Sequence, residues 1–296
     1  MSFYEEQAKN KRTTIFLFLV FFVLLFALGY VFSFITGDYI FIPIFGGFSI
    51  IYVLVGYYYS DKIVTSISGA KLADPMEFKL LHNVVEEIAL AAGLPKPQVY
   101  VINDTAINAF ATGRDPKHSV ICVTTGCVQR LNRDELTGVV AHEMSHIKNY
   151  DIRVMTIAAV LVGVSVLLSD FLLRMFIFGG GRSRDREGGK FMIVGIVLGI
   201  ILAILTPLIA QLIKMSISRQ REYLADASGA ELTRYPAGLA SALEKIGKDT
   251  EILEAANKAT AHLYISDPLK GQKLWFKDMF ASHPPISDRI AKLKAM

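Results

Sequence analysis

Residues 139–146 read V-V-A-H-E-M-S-H, and this stretch predicts both a central helix of the fold and its chemistry. Residues four positions apart in an α-helix lie on one face, so His142 and His146 can bind one metal ion together. Glu143 lies beside that face and can take a proton from an attacking water molecule. The alternative is an amphipathic helix that carries two surface histidines. The spacing favours zinc, for which imidazole nitrogen is a preferred ligand.

The residues that precede this stretch independently favour a helix. Asn132 and Glu135 have the spacing of a capping box, in which each side chain bonds the backbone N–H of the other residue. Leu136, Val139 and Val140 form an apolar stripe at helical spacing. We therefore expect a helix that begins near Asn132 and buries one face.

A catalytic zinc ion needs three protein ligands and one open position, so a third ligand must come from elsewhere. The metzincin continuation is excluded, because Asn149 replaces its glycine and Ile152 replaces its last histidine. Glu222 and Asp226, in the sequence R-E-Y-L-A-D, offer carboxylates on one helical face instead. Glu222 is the predicted ligand, and Asp226 is predicted to accept a hydrogen bond from a ligand histidine. The alternative for Glu222 is an exposed carboxylate that pairs with neighbouring arginines.

Long apolar runs determine the rest of the predicted architecture. Of the 296 residues, 52% are hydrophobic and 20% are charged, which is more apolar than a typical soluble domain. The net charge of +4 is too small for a dedicated nucleic-acid binder, so no nucleic-acid partner is expected. Cys122 and Cys127 lack the spacing of a redox or zinc pair, which predicts free thiols in a reducing compartment. Four runs are long enough to cross a bilayer as helices: 13–35, 39–59, 154–178 and 191–213.

These runs predict a multi-pass membrane protein with four transmembrane helices, and the expected location is the plasma (inner) membrane. The basic stretch K-N-K-R at 9–12 precedes the first run, and the positive-inside rule then predicts that both termini are cytoplasmic. The helix of His142 leads into the third run and Glu222 follows the fourth, so both half-sites meet at the cytoplasmic surface. The basic loop 179–190 fits this orientation poorly, and the alternative is a hairpin that is partly embedded in the protease.

The predicted division of the chain has four parts. Residues 1–60 form two N-terminal transmembrane helices, and 61–151 form a cytoplasmic catalytic part with the H-E-x-x-H helix. Residues 152–213 form a second transmembrane hairpin, and 214–296 form a cytoplasmic part with the third zinc ligand.

Within the second part, periodicity and turn residues predict the local structure: a helix at 75–92, strands at 99–103 and 119–124, an edge strand at 107–111 and a turn at 113–116. The predicted fold class is therefore an α+β membrane protein. Its four transmembrane helices would carry a mainly helical, zincin-like cytoplasmic catalytic domain with a small β-sheet.

On these residues the chain resembles the HtpX heat-shock proteases, membrane-bound relatives of the CAAX prenyl proteases, over essentially its full length. The matching stretches are Asn108-Ala109-Phe110-Ala111, His142-Glu143-Met144-Ser145-His146 with Asn149 and Asp151, Glu222-Tyr223-Leu224-Ala225-Asp226, and His283-Pro284-Pro285 with Arg289. The resemblance implies one zinc ion (Zn²⁺) per chain, held by His142, His146 and Glu222, with Glu143 as the general base. The Asn149 and Asp151 side chains are expected to organise the helix end rather than to touch substrate.

The other matching residues carry more open expectations. His283 is expected either to donate a hydrogen bond to the oxyanion of a tetrahedral intermediate or to cap a helix. Arg289 is expected to be a buried partner of Glu222, against the alternative of a solvated arginine. The stretch 108–111 is expected to offer backbone groups to an extended substrate, as an edge strand does. Its alternative is a strand that is simply covered by a helix.

The expected function is peptide-bond hydrolysis by a membrane-bound zinc metalloendopeptidase at the cytoplasmic membrane face. The resemblance further implies quality control of misfolded or damaged membrane proteins, so polypeptide substrates and the lipid bilayer are the expected partners. One alternative is a CAAX-type protease of prenylated peptides, although four spans are few for the enclosed chamber that would favour it. Another is a non-catalytic zinc-binding scaffold with charged residues inside its spans, of which only Asp170 and Arg174 qualify.

Overall fold

The computed structural model describes residues 3–163, 165, 219–256, 259–268 and 283–296. Within them the chain is mostly helical with one small sheet. The helices are α1 (Phe3–Thr36), α2 (Phe41–Tyr58), α3 (Ser60–Ile67), α4 (Lys79–Ala92), α5 (Thr125–Arg130), α6 (Arg133–Lys148), α7 (helical residues 151–163), α8 (Arg219–Thr233), α9 (Pro236–Lys248) and α10 (Ile286–Lys294). The strands are β1 (Lys71–Leu72), β2 (Gln98–Ile102), β3 (Ala109–Asp115) and β4 (His118–Thr124).

The two N-terminal apolar runs form α1 and α2, which pack together as a hairpin. Both helices are long and apolar enough to cross a membrane, over Gln7–Phe34 and Phe41–Tyr58. At the turn end of the hairpin, the Phe32 ring lies 5.6 Å from that of Phe45, and the two rings are stacked. The first two runs are therefore helical, as predicted.

The second predicted membrane hairpin is described only at its start. Residues 154–163 and 165 of the third run are helical. The rest of that run, the basic loop 179–190 and the fourth run at 191–213 lie outside the described residues. The third and fourth membrane spans therefore stay a prediction, and α1 and α2 are candidates for the first two.

The four strands form one sheet in the order β1-β2-β4-β3. β2 and β4 are parallel, whereas β1 pairs with β2, and β3 with β4, in antiparallel fashion. The strands predicted at 99–103 and 119–124 are confirmed to within one residue, and β3 is an edge strand as predicted. However, β3 continues to Asp115, because a register shift between Gly113 and Asp115 carries it through the predicted turn. Gly113 has φ +133°, and an added Cβ would lie 2.2 Å from the His118 carbonyl oxygen.

The helix boundaries follow local hydrogen bonding. In the capping box of α6, Asn132 Oδ1 accepts from the Glu135 N–H at 2.9 Å, and Glu135 Oε2 accepts from the Asn132 N–H at 2.8 Å. The predicted helix at 75–92 begins only at Lys79. Asp74 Oδ1 accepts from the N–H groups two and three residues ahead, at 2.8 and 3.1 Å, and so holds the preceding residues in turns.

α6 lies at the centre of the catalytic part and packs against α4, α8, α9 and β3. Apart from Thr137, every residue from Glu135 to Ile147 is buried. His142 and His146 are only 1% and 4% exposed. The alternative of a surface helix with two solvated histidines is therefore wrong.

Two glycines allow the helices around α6 to approach it closely. A Cβ on Gly138 of α6 would lie 2.6 Å from the backbone nitrogen of Leu239 in α9. A Cβ on Gly229 of α8 would lie 3.1 Å from the backbone nitrogen of His142. The second contact brings α8, and with it Glu222, against the histidine-bearing face of α6.

Candidate metal centre

Three predicted metal ligands lie together where α6 and α8 meet. His142 and His146 project from α6 and Glu222 from α8, and one ligand atom of each lies within 4.8 Å of the other two. The two Nε2 atoms are 3.2 Å apart. The Glu222 carboxylate lies 3.8 Å from Nε2 of His142 and 3.5 Å from Nε2 of His146. All three side chains are buried, so the alternative of an exposed Glu222 is wrong.

Each ligand histidine has a carboxylate at its Nδ1 atom. Asp226 Oδ1 lies 2.9 Å from Nδ1 of His142, and Asp151 Oδ2 lies 3.0 Å from Nδ1 of His146. An ionised carboxylate accepts a hydrogen bond, so in the neutral, metal-binding form of each imidazole Nδ1 carries the proton and Nε2 keeps its lone pair. Two lone pairs and a carboxylate then face one another in a buried space. This arrangement fits a divalent cation, and the donor set suits zinc.

Arg289 lies behind this cluster and is fully buried, at 0% exposed. Its guanidinium donates to both carboxylate oxygens of Asp226, from Nε at 2.8 Å and from Nη2 at 2.7 Å. Its Nη1 donates to the Ile265 carbonyl at 3.0 Å and lies 3.6 Å from Glu222 Oε2. The solvated-arginine alternative is therefore wrong, and the closest carboxylate partner is Asp226 rather than the expected Glu222.

His283 contacts the carboxylate of the third ligand. Its Nδ1 lies 2.8 Å from Glu222 Oε2, and its side chain is 8% exposed. Its Nε2 is buried and has no hydrogen-bond partner among the described residues. The helix that follows, α10, has Pro285 at its N-cap and no side-chain cap. His283 therefore faces the cluster and does not cap that helix.

The two glutamates of the site have opposite pKa shifts. Burial raises the pKa of Glu143 to about 7, and the neighbouring Glu222 carboxylate acts in the same direction. Burial also acts to raise the pKa of Glu222, but the attraction of His283 and a hydrogen bond from it outweigh burial. The pKa of Glu222 is consequently well below its usual value. Glu222 is thus an anion suited to a cation, whereas Glu143 can both accept and release a proton.

The two histidines also differ in their surroundings. Burial lowers the pKa of His142 to about 4, and the Arg289 guanidinium adds to this effect. Burial acts in the same direction on His146, but the hydrogen bond to Asp151 and nearby carboxylates outweigh it and raise its pKa to about 9. The negative charge of the site is therefore concentrated around His146.

The predicted substrate-binding stretch 108–111 is buried, and three of its residues begin β3. Its edge is partly occupied by other segments. The Ala109 carbonyl accepts a hydrogen bond from the Ile265 N–H at 2.9 Å, and the Ala111 backbone is close enough to Glu143 to act to lower its pKa. The edge is thus covered at Ala109 by the segment around Ile265, rather than by the helix of the alternative. A substrate that pairs with Ala109 would have to displace that segment.

Asp151 contacts a ligand histidine, a role that its place in the sequence does not predict. α6 ends at Lys148, and Tyr150 adopts φ +60°, a conformation that non-glycine residues seldom adopt. This reversal returns Asp151 to Nδ1 of His146. A carboxylate placed directly after the end of a metal-binding helix is the signal that could have revealed the contact.

Comparison with known proteins supports the same chemistry. A sequence model of Peptidase family M48 matches residues 75–296. A Protease HtpX homolog of Caldanaerobacter subterraneus subsp. tengcongensis is 49% identical over 299 residues, which cover 99% of this chain and 97% of the relative. The homolog of Dictyoglomus thermophilum is 47% identical, covering 100% of this chain and 95% of the relative. The homolog of Levilactobacillus brevis is 45% identical, covering 99% of this chain and 99% of the relative.

The fold is similar to that of one solved structure. The crystal structure of S. mikatae Ste24p aligns with a TM-score of 0.50 and 19% identity, covering 98% of this chain and 66% of that one. At this identity the likeness concerns the fold alone. The family match and the full-length relatives, taken together with a buried cluster suited to a metal, lead to one conclusion. The chain belongs to peptidase family M48 and is a metallopeptidase related to the HtpX proteases.

Proposed function

We propose that this chain is a zinc endopeptidase that cleaves polypeptides at the cytoplasmic face of the plasma membrane. The observation that carries the proposal is the buried cluster of His142, His146 and Glu222 with Glu143 beside it. Relatives at 45–49% identity over nearly the whole chain are named as HtpX protease homologs, which favours an endopeptidase over the prenyl-peptide alternative.

Each residue of the cluster has a separate role in the proposed reaction. Zinc bound by the three ligands would supply Lewis-acid chemistry, polarising the scissile carbonyl and lowering the pKa of water. Glu143 takes a proton from the attacking water and delivers it to the nitrogen of the leaving amine. Asp226 and Asp151 hold the two imidazoles in the tautomer that presents Nε2 to the ion.

His283 is proposed to stabilise the negative charge that develops on the carbonyl oxygen. Its Nδ1 is occupied by Glu222, and its Nε2 has no hydrogen-bond partner among the described residues. A buried donor aimed at developing charge needs no reorganisation during the reaction, which makes such groups effective. Substrate is proposed to lie along the edge of β3 once the segment around Ile265 leaves Ala109, with backbone groups of residues 108–111 binding an extended peptide.

Membrane proteins are the proposed substrates, in a quality-control role. The catalytic part lies directly against the end of the candidate span α2. Arg114 of β3 donates to the Tyr58 carbonyl at the end of α2, at 2.7 Å, and Arg153 of α7 lies 5.8 Å over the Tyr57 ring. Paired tyrosines and cations are typical of the interface between bilayer and water. A chain segment that emerges from the bilayer would meet the site there, in the proposed four-span topology with both termini cytoplasmic.

Substitution of Glu143 by glutamine tests this proposal. The change keeps the size of the side chain but removes its ability to accept a proton, so we expect zinc content near one ion per chain and loss of casein hydrolysis by about 10²-fold or more. The matched control is Glu86→Gln, since Glu86 is an exposed glutamate paired with Lys96. Metal analysis and peptidase assays of detergent-purified protein measure both properties. Retained activity in Glu143→Gln would reject the assignment.

A further inference from the structure

Asn10 contacts the catalytic part, and no pattern in the sequence predicts these contacts. It lies in the basic flank that precedes the first apolar run, yet it is only 2% exposed. Its Nδ2 donates to Asp151 Oδ1 at 2.7 Å and to the Asn149 carbonyl at 3.0 Å. Its Oδ1 accepts from Arg221 Nη1 at 3.2 Å. One side chain of α1 thus joins the end of α6, the start of α7 and the start of α8.

The chemistry of its neighbours fixes the orientation of the Asn10 amide. The nitrogen faces two oxygen acceptors, and the oxygen faces a guanidinium donor. A flipped amide would place oxygen against the carbonyl of Asn149 and the carboxylate of Asp151. Among side chains of this length, only an amide supplies two N–H donors and an acceptor at once.

We propose that Asn10 is a positioning residue for the metal centre and that α1 is therefore part of that centre. Asn10 holds Oδ1 of Asp151, and Oδ2 of the same carboxylate contacts Nδ1 of the ligand His146 at 3.0 Å. A carboxylate fixed at both oxygens holds the imidazole ring of His146 in one orientation and one tautomer. The inference rests on the proposed metal-binding role of His146.

The membrane helix that carries Asn10 is held firmly against the catalytic part. A stripe of buried side chains follows Asn10 along α1 and packs on α7. Its members are Leu17, Phe21 and Leu25 on α1, with Val154, Ile157 and Leu161 on α7. Because α7 begins with Asp151, the same apolar contact determines the position of Asn10, along the axis of α1, relative to that carboxylate. Docking of a candidate membrane span is thus coupled to the geometry of the metal site.

The expected effect follows from the position of Asn10 in this series of contacts. Loss of a group that bonds directly to a ligand histidine weakens metal binding by about 10–100-fold. Asn10 acts one hydrogen bond further away, and Arg221 also lies 3.6 Å from Asp151 Oδ1. We therefore expect Asn10→Ala to weaken zinc binding by about 10-fold, the lower end of that range.

The test uses the full chain in detergent, with zinc affinity measured by competition against a chelator and unfolding of the metal-free protein measured in parallel. Asn10→Ala removes the side chain, and Asn10→Leu keeps a side chain of similar shape but removes its N–H donors and its acceptor without adding a charge. The control is Gln7→Ala, because Gln7 donates from the same helix to the Lys148 carbonyl at 3.0 Å without reaching Asp151. We expect weaker zinc binding in both Asn10 variants and unchanged zinc affinity in Gln7→Ala. Equal affinities in all three variants would overturn the inference, since a role limited to helix docking would be shared by Gln7.

A double-mutant cycle with Asp151→Asn separates action through Asp151 from a general effect. If Asn10 acts through that carboxylate, Asn10→Ala has little further effect on zinc affinity once Asp151 is replaced. Additive losses of zinc affinity in the double variant would reject the proposal that Asn10 acts through Asp151. Glu222→Ala and His146→Ala serve as references: if these lose no zinc, the proposed metal centre itself fails. If they lose zinc while the Asn10 variants do not, only the present inference fails.

Discussion

The two ligand histidines are held by the same kind of contact, built from different parts of the chain. His142 is held by Asp226, and both oxygens of Asp226 are in turn bound by Arg289. His146 is held by Asp151, whose other oxygen is bound by Asn10. In each case a buried carboxylate has donors at both oxygens, which prevents it from rotating away from the imidazole. The difference is that one carboxylate is held by a cation and the other chiefly by a neutral amide.

Replacement of Arg289 by methionine should therefore affect both stability and metal binding. Methionine preserves much of the buried volume but leaves the Asp226 carboxylate without the two donors of the guanidinium. Breaking a buried ion pair by removing one partner costs about 3–5 kcal/mol. We expect a lower midpoint of thermal unfolding in the metal-free protein, together with weaker zinc binding. Substitution of the exposed Lys294, which pairs with Glu244 at the surface, is the control and should change neither. An unchanged midpoint in Arg289→Met would contradict this account.

His283→Ala distinguishes stabilisation of the oxyanion from support of Glu222. Removal of an oxyanion donor costs about 10²–10³-fold in kcat, whereas loss of support for Glu222 would appear first as loss of zinc. We expect a fall in kcat with little change in KM and with zinc retained, measured by steady-state kinetics and metal analysis on the same preparation. A loss of zinc that parallels the loss of activity would assign His283 to the positioning of Glu222 instead.

Close helix packing determines whether the ligands meet. α6 carries two ligands but cannot form the cluster alone, because the third ligand is on α8. Gly229 allows the α8 backbone to approach His142, and Gly138 allows α9 to approach the opposite end of α6. A side chain at either glycine would have to displace backbone atoms, which cannot move independently of their helices. Small residues at these crossings therefore help to bring the ligands together.

Gly138→Ala should destabilise the fold without touching the metal ligands. Its Cβ would lie 2.6 and 2.8 Å from the backbone N and Cα atoms of Leu239, so α9 would have to shift. Overpacking of this kind costs about 1–3 kcal/mol. Gly47→Ala is the matched control, since an added Cβ there meets nothing within 4 Å. Thermal unfolding in detergent should show a lower midpoint only for Gly138→Ala, and equal midpoints for the two variants would contradict the packing argument.

At the scale of the whole molecule, the metal centre draws on residues from near both ends of the described chain. Asn10 of α1 and Arg289 of α10 both contact carboxylates that hold the ligand histidines. With Asn10 as a positioning residue, the complete centre therefore includes contacts from both α1 and α10.

The orientation of the chain in the membrane can be tested with introduced cysteines. The native Cys122 and Cys127 are buried, and burial raises the pKa of both thiols, so neither should react quickly. Tyr39, between α1 and α2, and the terminal Met296 are 77% and 63% exposed. We expect an impermeant maleimide to label Tyr39→Cys in intact cells and Met296→Cys only after permeabilisation. The parent chain controls for background, and the reverse pattern would contradict the proposed orientation.

The sequence by itself predicted the elements whose signals are local. The capping box and the H-E-x-x-H spacing predicted α6, because both depend on residues within one helix. Apolar run length predicted α1 and α2, and β-branched runs bounded by turn residues predicted β2 and β4. The pairing of Glu222 with the two histidines was also accessible, since a catalytic metal requires a third ligand and the chain offered one well-placed acidic helix.

Tertiary structure alone decided the contacts that support those ligands. Asn10 and Asp151 are separated by 141 positions, and no periodicity or motif relates them. Arg289 bonds to Asp226 rather than chiefly to Glu222, and the segment around Ile265 occupies the β3 edge, because packing brings these groups together after the helices have formed. Short-range rules determine which face of a helix a residue occupies, whereas the identity of its partner depends on which distant segment covers that face.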